Sequence, residues 1–100
     1  MAVRQLLDDA RAWIEHTAYS PDAIAVRFHH RLVHIHVFPN GNGRHARLMA
    51  DLLIMSLGRE RFSWGSAGLQ DAGVTRRRYI AALQAADDYD IGPLLAFARS

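Results

Sequence analysis

The sequence contains no cysteine and no lysine. Without cysteine the chain has neither a disulfide framework nor a thiolate metal site, and such a composition is typical of a reducing compartment. All of its 12 basic residues are therefore arginines, and 10 acidic residues offset them to a net charge of +2. So small a net charge is a poor electrostatic match for nucleic acid, and we expect no nucleic acid partner.

Long apolar runs are also missing. The most apolar stretch, Leu52–Met55, is far shorter than a membrane span, and acidic residues stand within the first nine positions, where a signal peptide would be apolar. We therefore expect a cytoplasmic protein with no membrane partner. A chain of 100 residues, half of them hydrophobic, predicts a single domain over residues 1–100.

Apolar residues recur at spacings of three and four along most of the chain, which predicts an all-α fold of about five helices. The first helix is expected from Val3 to about Ala18. Ser20 supplies a cap for a second helix, which should begin at Pro21 and extend to about Ile35.

The third predicted helix begins at about Arg44 and is closed by Gly58. It is apolar nearly all round, which predicts a central, buried helix around which the fold is built. An irregular stretch over 59–73 follows. Thr75 is the expected cap of a fourth helix, and Asp90 that of a short fifth helix.

The stretch HVFPNGNGRHAR, residues 36–47, concentrates unusual chemistry in twelve positions. A helix that starts just after the turn at 41–43 would direct backbone N–H groups and its positive dipole end at the loop, which favours an anion. Positive φ angles at Gly41 and Gly43 would let the backbone approach a phosphate closely. Arg44 and Arg47 are three residues apart on the first helical turn, so both could bind one polyphosphate.

His36 stands eight residues before Arg44, across the same loop. A histidine is often neutral near pH 7 and can then accept a proton from a hydroxyl beside the bound phosphates. A base, a set of backbone amides and two arginines are the groups that phosphoryl or nucleotidyl transfer requires.

Residues 36–47 resemble the Fic signature, His-x-Phe-x-acid-Gly-Asn-Gly-Arg-x-x-Arg. The continuation LMADLL makes the mobile mystery protein B branch of the family the most similar, and residues 79–97 resemble the closing helices of a Fic domain. The resemblance implies a Fic-type helical bundle around the motif helix. It also implies that the chain is the C-terminal part of a Fic domain, without the upstream helices and the flap hairpin.

A Fic-type enzyme transfers AMP from ATP, with Mg²⁺, to a Ser, Thr or Tyr hydroxyl of a target protein. The resemblance thus implies that His36 is the catalytic base and that Phe38 anchors the loop in the core. The residues implied to bind the phosphates of ATP are Gly41, Asn42, Gly43, Arg44 and Arg47. An inhibitory, antitoxin-like partner is a further expectation from the resemblance.

Asn40 departs from the signature, because it occupies the position of the acidic magnesium ligand. An amide oxygen can bind Mg²⁺ but contributes no charge, so metal affinity should fall. This leaves an alternative open, a nucleotide-binding pseudoenzyme or toxin-like interaction module without transferase activity. A core without its upstream helices should also expose the apolar faces of 6–14 and 28–35, which predicts a homo-oligomer.

Three other groups of residues could have either a structural or a binding role. His30 and His34 have the spacing of zinc ligands, but for the histidines of this region we favour half-buried packing roles. The run Arg76–Arg78 should be a solvated face, although three cations in the first turn of a helix would suit an acidic partner. Residues 62–65 include two aromatic rings, which we expect in the core rather than beside a nucleobase.

Overall fold

The computed structural model describes residues 2–35, 41–66 and 71–100. Within these ranges the chain forms five α-helices and no β-strand, as the sequence predicted. The helices are α1 (Ala2–Glu15), α2 (Pro21–Ile35), α3 (Asn42–Ser56), α4 (Ala72–Asp87) and α5 (Gly92–Ala98). No helix in the described part of the chain is long and apolar enough to cross a membrane.

The helices belong to two compact units, residues 1–61 with α1–α3 and residues 62–100 with α4 and α5. In the first unit, α2 packs against both α1 and α3. The core of this unit consists of Leu6, Ala10, Phe28, Leu32 and Ala46. The apolar face of α2, which we expected to be exposed, is therefore largely buried, because α1 and α3 cover it. On α1 the expectation holds in part, since Leu7 and Ile14 remain 51% and 41% exposed.

Local capping signals place the start of α2 correctly. The side-chain oxygen of Ser20 accepts a hydrogen bond from the N–H of Ala23 at 3.2 Å, and Pro21 is the first helical residue. Further along, Arg31 donates a hydrogen bond to the Asp9 carboxylate, which ties α2 to α1. The guanidinium of Arg31 also lies 5.8 Å from the ring centroid of Trp13.

Helix α3 begins two residues earlier than predicted, and only one of its faces is buried. That face is lined by Ala46, Ala50 and Ile54. The larger side chains of Leu48, Leu52 and Met55 are 57%, 50% and 45% exposed. The prediction of a central, buried helix is therefore wrong, since α2 is the central helix of this unit. Alanines four residues apart let α3 lie close to α2, so part of its apolar surface faces away. Homo-oligomerisation stays a prediction.

In the second unit, both predicted helix caps are displaced along the chain. Asp71, not Thr75, caps α4, since its carboxylate accepts a hydrogen bond from the N–H of Val74 at 2.9 Å. The run Arg76–Arg78 is consequently in the second turn, where repulsion from the helix dipole is weaker. The N-cap of α5 is Ile91, one residue after Asp90.

Of the two aromatic rings in residues 62–65, Phe62 lies in the core as expected, and Trp64 is half-buried beside it. Phe62 is buried, and its ring is 5.1 Å from that of Trp64 in an edge-on arrangement. The N–H groups of Ser63 and Trp64 both donate to the carbonyl of Ala98, at 2.9 and 3.0 Å. This loop is thereby fixed to the C-terminal end of α5.

Candidate nucleotide-binding site

The candidate site is the N-terminal end of α3. Gly41 is the N-cap residue and has φ 76° and ψ 13°, a left-handed conformation that favours glycine. The predicted positive φ is confirmed for Gly41. It is wrong for Gly43, which is the second residue of α3 and has helical backbone. The helix therefore begins at Asn42, directly after Gly41.

The first hydrogen bond of this helix end runs from the N–H of His45 to the carbonyl of Gly41, at 3.0 Å. The amides that precede His45 point out of the helix end, where the macrodipole is positive. Glycine at the N-cap has no side chain to accept from them, and the first turn contains no acidic residue. This end of α3 consequently presents donors and positive potential, the combination that binds anions.

Arg44 places a cation beside these amides. It is exposed, and its Nη2 atom lies 3.6 Å from the position that a Cβ on Gly41 would occupy. The guanidinium therefore folds back along the N-cap instead of extending away from it. A Cβ at position 41 would make an ordinary contact with this guanidinium, so the positive φ is the reason that the position favours glycine.

Arg47 differs from Arg44 in its surroundings. It is the sixth residue of α3 and therefore lies in the second turn. The prediction that it lies in the first turn is wrong. It is half-buried, and its charge contributes to lowering the pKa of His29 on α2. The two arginines thus lie one turn apart along the axis, with Arg47 closer to the α2–α3 contact.

His29 is a packing residue in this contact, and its depth of burial was not predicted from the sequence. Its side chain is fully buried, and burial is the main cause that lowers its pKa from 6.5 to about 4. A hydrogen bond with the backbone of Ala46 acts in the opposite direction. His29 is therefore neutral at pH 7 and joins α2 to α3 just below the candidate site. Its position next to Phe28, a residue of the apolar stripe of α2, was the one sequence signal of its burial.

Three of the predicted site residues, His36, Phe38 and Asn40, lie outside the described residues. The structure does describe the two ends that flank them. Ile35, the last residue of α2, packs against the core of the first unit, and Gly41 begins the turn into α3. Both ends of the segment are consequently attached to helices that share one core.

The sequence matches the Fic/DOC family over residues 1–54, more than half of the chain. The chain belongs to the Fic/DOC family. The match includes α1, α2 and the whole HVFPNGNGRHAR stretch of this Fic/DOC chain, and it ends within α3 at Ile54. The finer assignment to the mobile mystery protein B branch stays a prediction, as does the resemblance of residues 79–97 to closing Fic helices.

Two curated relatives of this Fic/DOC chain are each named protein adenylyltransferase Fic. The protein from Aedes aegypti is 35% identical over 79 residues, which is 79% of this chain and 14% of the relative. The protein from Culex quinquefasciatus is 36% identical over 77 residues, 77% of this chain and 14% of the relative. The chain thus spans about one seventh of the length of these relatives.

Proposed function

We propose that this chain is part of a protein adenylyltransferase, which transfers AMP from ATP to a Ser, Thr or Tyr hydroxyl of a target protein. The observation that carries the proposal is the combination of the Fic signature with a helix start built for an anion. The signature ends in α3, where Gly41 has a left-handed backbone and Arg44 folds over it. Family membership and the names of two relatives agree with this function.

The phosphates of ATP would bind at the N-terminal end of α3. The backbone amides of 41–43 and the side chain of Asn42 would hold the α- and β-phosphates. Arg44 would bind an oxygen of the same phosphates, and Arg47, one turn further along α3, would reach the end of the phosphate chain. Guanidinium groups suit this task because each can donate two parallel hydrogen bonds to one phosphate.

In the proposed reaction, His36 accepts the proton of the target hydroxyl. The oxygen then forms a bond to the α-phosphorus, and the bond between this phosphorus and the oxygen bridging to the β-phosphate breaks. AMP remains on the protein and pyrophosphate leaves. The amides and arginines at the start of α3 stabilise the negative charge that develops on the phosphates.

The chain offers few oxygen ligands for Mg²⁺ at this site. The first turn of α3 contains no acidic residue, and Asn40 would contribute a neutral amide oxygen. Mg²⁺ would therefore be held mainly by phosphate oxygens of ATP, with Asn40 as the protein ligand. When bound, it would offset the charge of the phosphates and of the leaving pyrophosphate.

Some properties of the whole enzyme follow as proposals from the same family. The target is a protein with an accessible hydroxyl, and an inhibitory partner would restrain the activity. We propose a cytoplasmic location, where ATP is abundant; the absence of cysteine agrees with a reducing compartment.

Replacement of Arg44 or Arg47 by Ala should weaken ATP binding by roughly 1 to 3 kcal/mol each, the value of a charge-assisted hydrogen bond to phosphate. Isothermal titration calorimetry with ATP measures this loss. Arg11→Ala is the matched control, because Arg11 is an exposed arginine on α1, whereas the candidate site is on α3. Unchanged ATP affinity in both variants would refute the assigned phosphate contacts.

A magnesium titration tests the function itself. Transfer of label from α-phosphate-labelled ATP to protein is measured at increasing Mg²⁺ in the full-length form that carries the upstream flap, for the wild type and for Asn40→Asp. A carboxylate at position 40 attracts Mg²⁺ by charge, so Asn40→Asp should lower the Mg²⁺ concentration that gives half-maximal transfer. ATP binding measured without metal should change little.

The remaining outcomes separate the alternatives. If the wild type is silent at every Mg²⁺ concentration and Asn40→Asp restores transfer, the chain is a nucleotide-binding module that has lost its chemistry through the neutral residue. If both are silent although ATP binds, adenylyl transfer is the wrong function for this chain.

A further inference from the structure

The last two turns of α2 contain a pair of histidines that the proposed reaction does not use. His30 and His34 are four residues apart on this helix, and their ring centroids are 5.0 Å apart. His30 is partly buried and His34 is exposed. A packing role, which we favoured from the sequence, fits His29 but does not explain an exposed ring at position 34.

From this pair we infer that the C-terminal end of α2 binds a Zn²⁺ ion through the imidazoles of His30 and His34. One ring nitrogen of His30 and one of His34 lie within 4.8 Å of each other. Zinc binds imidazole nitrogen at about 2.0–2.1 Å in tetrahedral geometry. Two such ligands are closer together than twice that distance, so zinc binding would draw the two nitrogens together by rotation of the exposed His34 ring.

The electrostatics of this position also favour a cation. His34 is in the last turn of α2. At this end the helix dipole is negative, and the final carbonyls accept no hydrogen bond from within the helix. The neighbouring Arg31 opposes a bound cation less than its charge suggests, because it is paired with the Asp9 carboxylate. Water would complete the coordination shell, as it does in zinc sites with an open position.

The chemistry of the pair separates this ion from the Mg²⁺ of the proposed reaction. Imidazole is a ligand for zinc, copper and nickel, whereas Mg²⁺ prefers oxygen ligands and retains its waters. Zinc bound across one helical turn would hold the end of α2 in helical form. The signature begins at residue 36, directly after this end, so the ion would stabilise the helix that precedes the signature.

The test is Zn²⁺ binding to the 100-residue chain, measured by calorimetry and by the rise in thermal unfolding temperature that a ligand of the folded state produces. Loss of even an outer-shell partner weakens a metal site by roughly 10- to 100-fold. His30→Gln and His34→Gln should therefore each lower Zn²⁺ affinity at least about tenfold and remove the stabilisation. Mg²⁺ at the same concentration should not stabilise the chain.

His16→Gln is the matched control, because His16 is a single exposed histidine that follows α1, and it should retain wild-type Zn²⁺ binding. Circular dichroism verifies that each variant is folded, and replacement of exposed His34 is the variant least able to disturb the core. Heteronuclear NMR of the imidazole nitrogens should show Zn²⁺-dependent shifts at positions 30 and 34. Absence of Zn²⁺ binding, or binding that His34→Gln leaves unchanged, overturns the inference.

Discussion

His36→Ala is expected to reduce AMP transfer by at least about 100-fold, the usual contribution of a general base. Binding of ATP should remain nearly intact, because the proposed role of His36 is to accept a proton from the target hydroxyl and not to contact the phosphates. The groups proposed to bind the phosphates, the start of α3 and Arg44, are unchanged by the substitution. Label transfer and calorimetric ATP binding, measured on the same preparation, separate the two effects.

His45→Ala is a suitable control, since it removes a histidine from the same stretch at a position that the Fic signature leaves variable. It should retain transfer. Equal loss of transfer and of ATP binding in His36→Ala would contradict the role of base and would indicate a binding or structural role instead.

Acidification from pH 6.5 to pH 4 is expected to destabilise the first unit by about 3 kcal/mol through His29 alone. Burial lowers the pKa of His29 in the folded chain from 6.5 to about 4. Between these values the unfolded chain binds a proton that the folded chain does not, so the free energy of unfolding falls as the pH falls. Below about pH 4 both states are protonated at His29, and its effect no longer grows.

Urea unfolding at a series of pH values measures this slope. His29→Gln should be less stable near pH 7, since it loses the packed imidazole, but its stability should vary much less between pH 6.5 and 4. The exposed His16→Gln should keep the wild-type slope.

The Arg31 guanidinium, chiefly through its hydrogen bond, holds the pKa of Asp9 below its ordinary value of 3.8. The stability that Asp9 contributes is present above that value and is lost only at lower pH, so it does not confuse the test. A wild-type chain equally stable at pH 6.5 and pH 4 would contradict the buried, neutral His29.

Where the determining interactions are local, the sequence predicted the structure closely. The start of α2 follows from Ser20 and Pro21, because a cap hydrogen bond and a fixed proline φ act within one turn. The left-handed turn at Gly41 and the closure of α3 at Gly58, with φ 87°, are local in the same sense. The signature in residues 36–47 is a contiguous pattern, which is why it predicted the family.

Competition between neighbouring residues was harder to resolve. Asp71 and Thr75 are both good cap residues, and a helix can begin after either of them. In the structure the Asp71 carboxylate accepts from Val74, while the Thr75 hydroxyl donates to the carbonyl of Asp71. The helix takes the longer option, because four more residues then make helical hydrogen bonds.

By itself, the sequence determined the all-α class, most helix boundaries to within a few residues, the family, and the residues proposed for phosphate binding and proton transfer. Only tertiary packing decided which face of α3 is buried, since a helix with apolar residues on several sides has no preferred face until a neighbour covers one. Small Ala46 and Ala50 are fully buried, while Leu48 and Leu52 remain exposed. The same packing decided the protonation of His29, because the free energy of charging an imidazole depends on the water that surrounding residues exclude, and no local pattern records that exclusion.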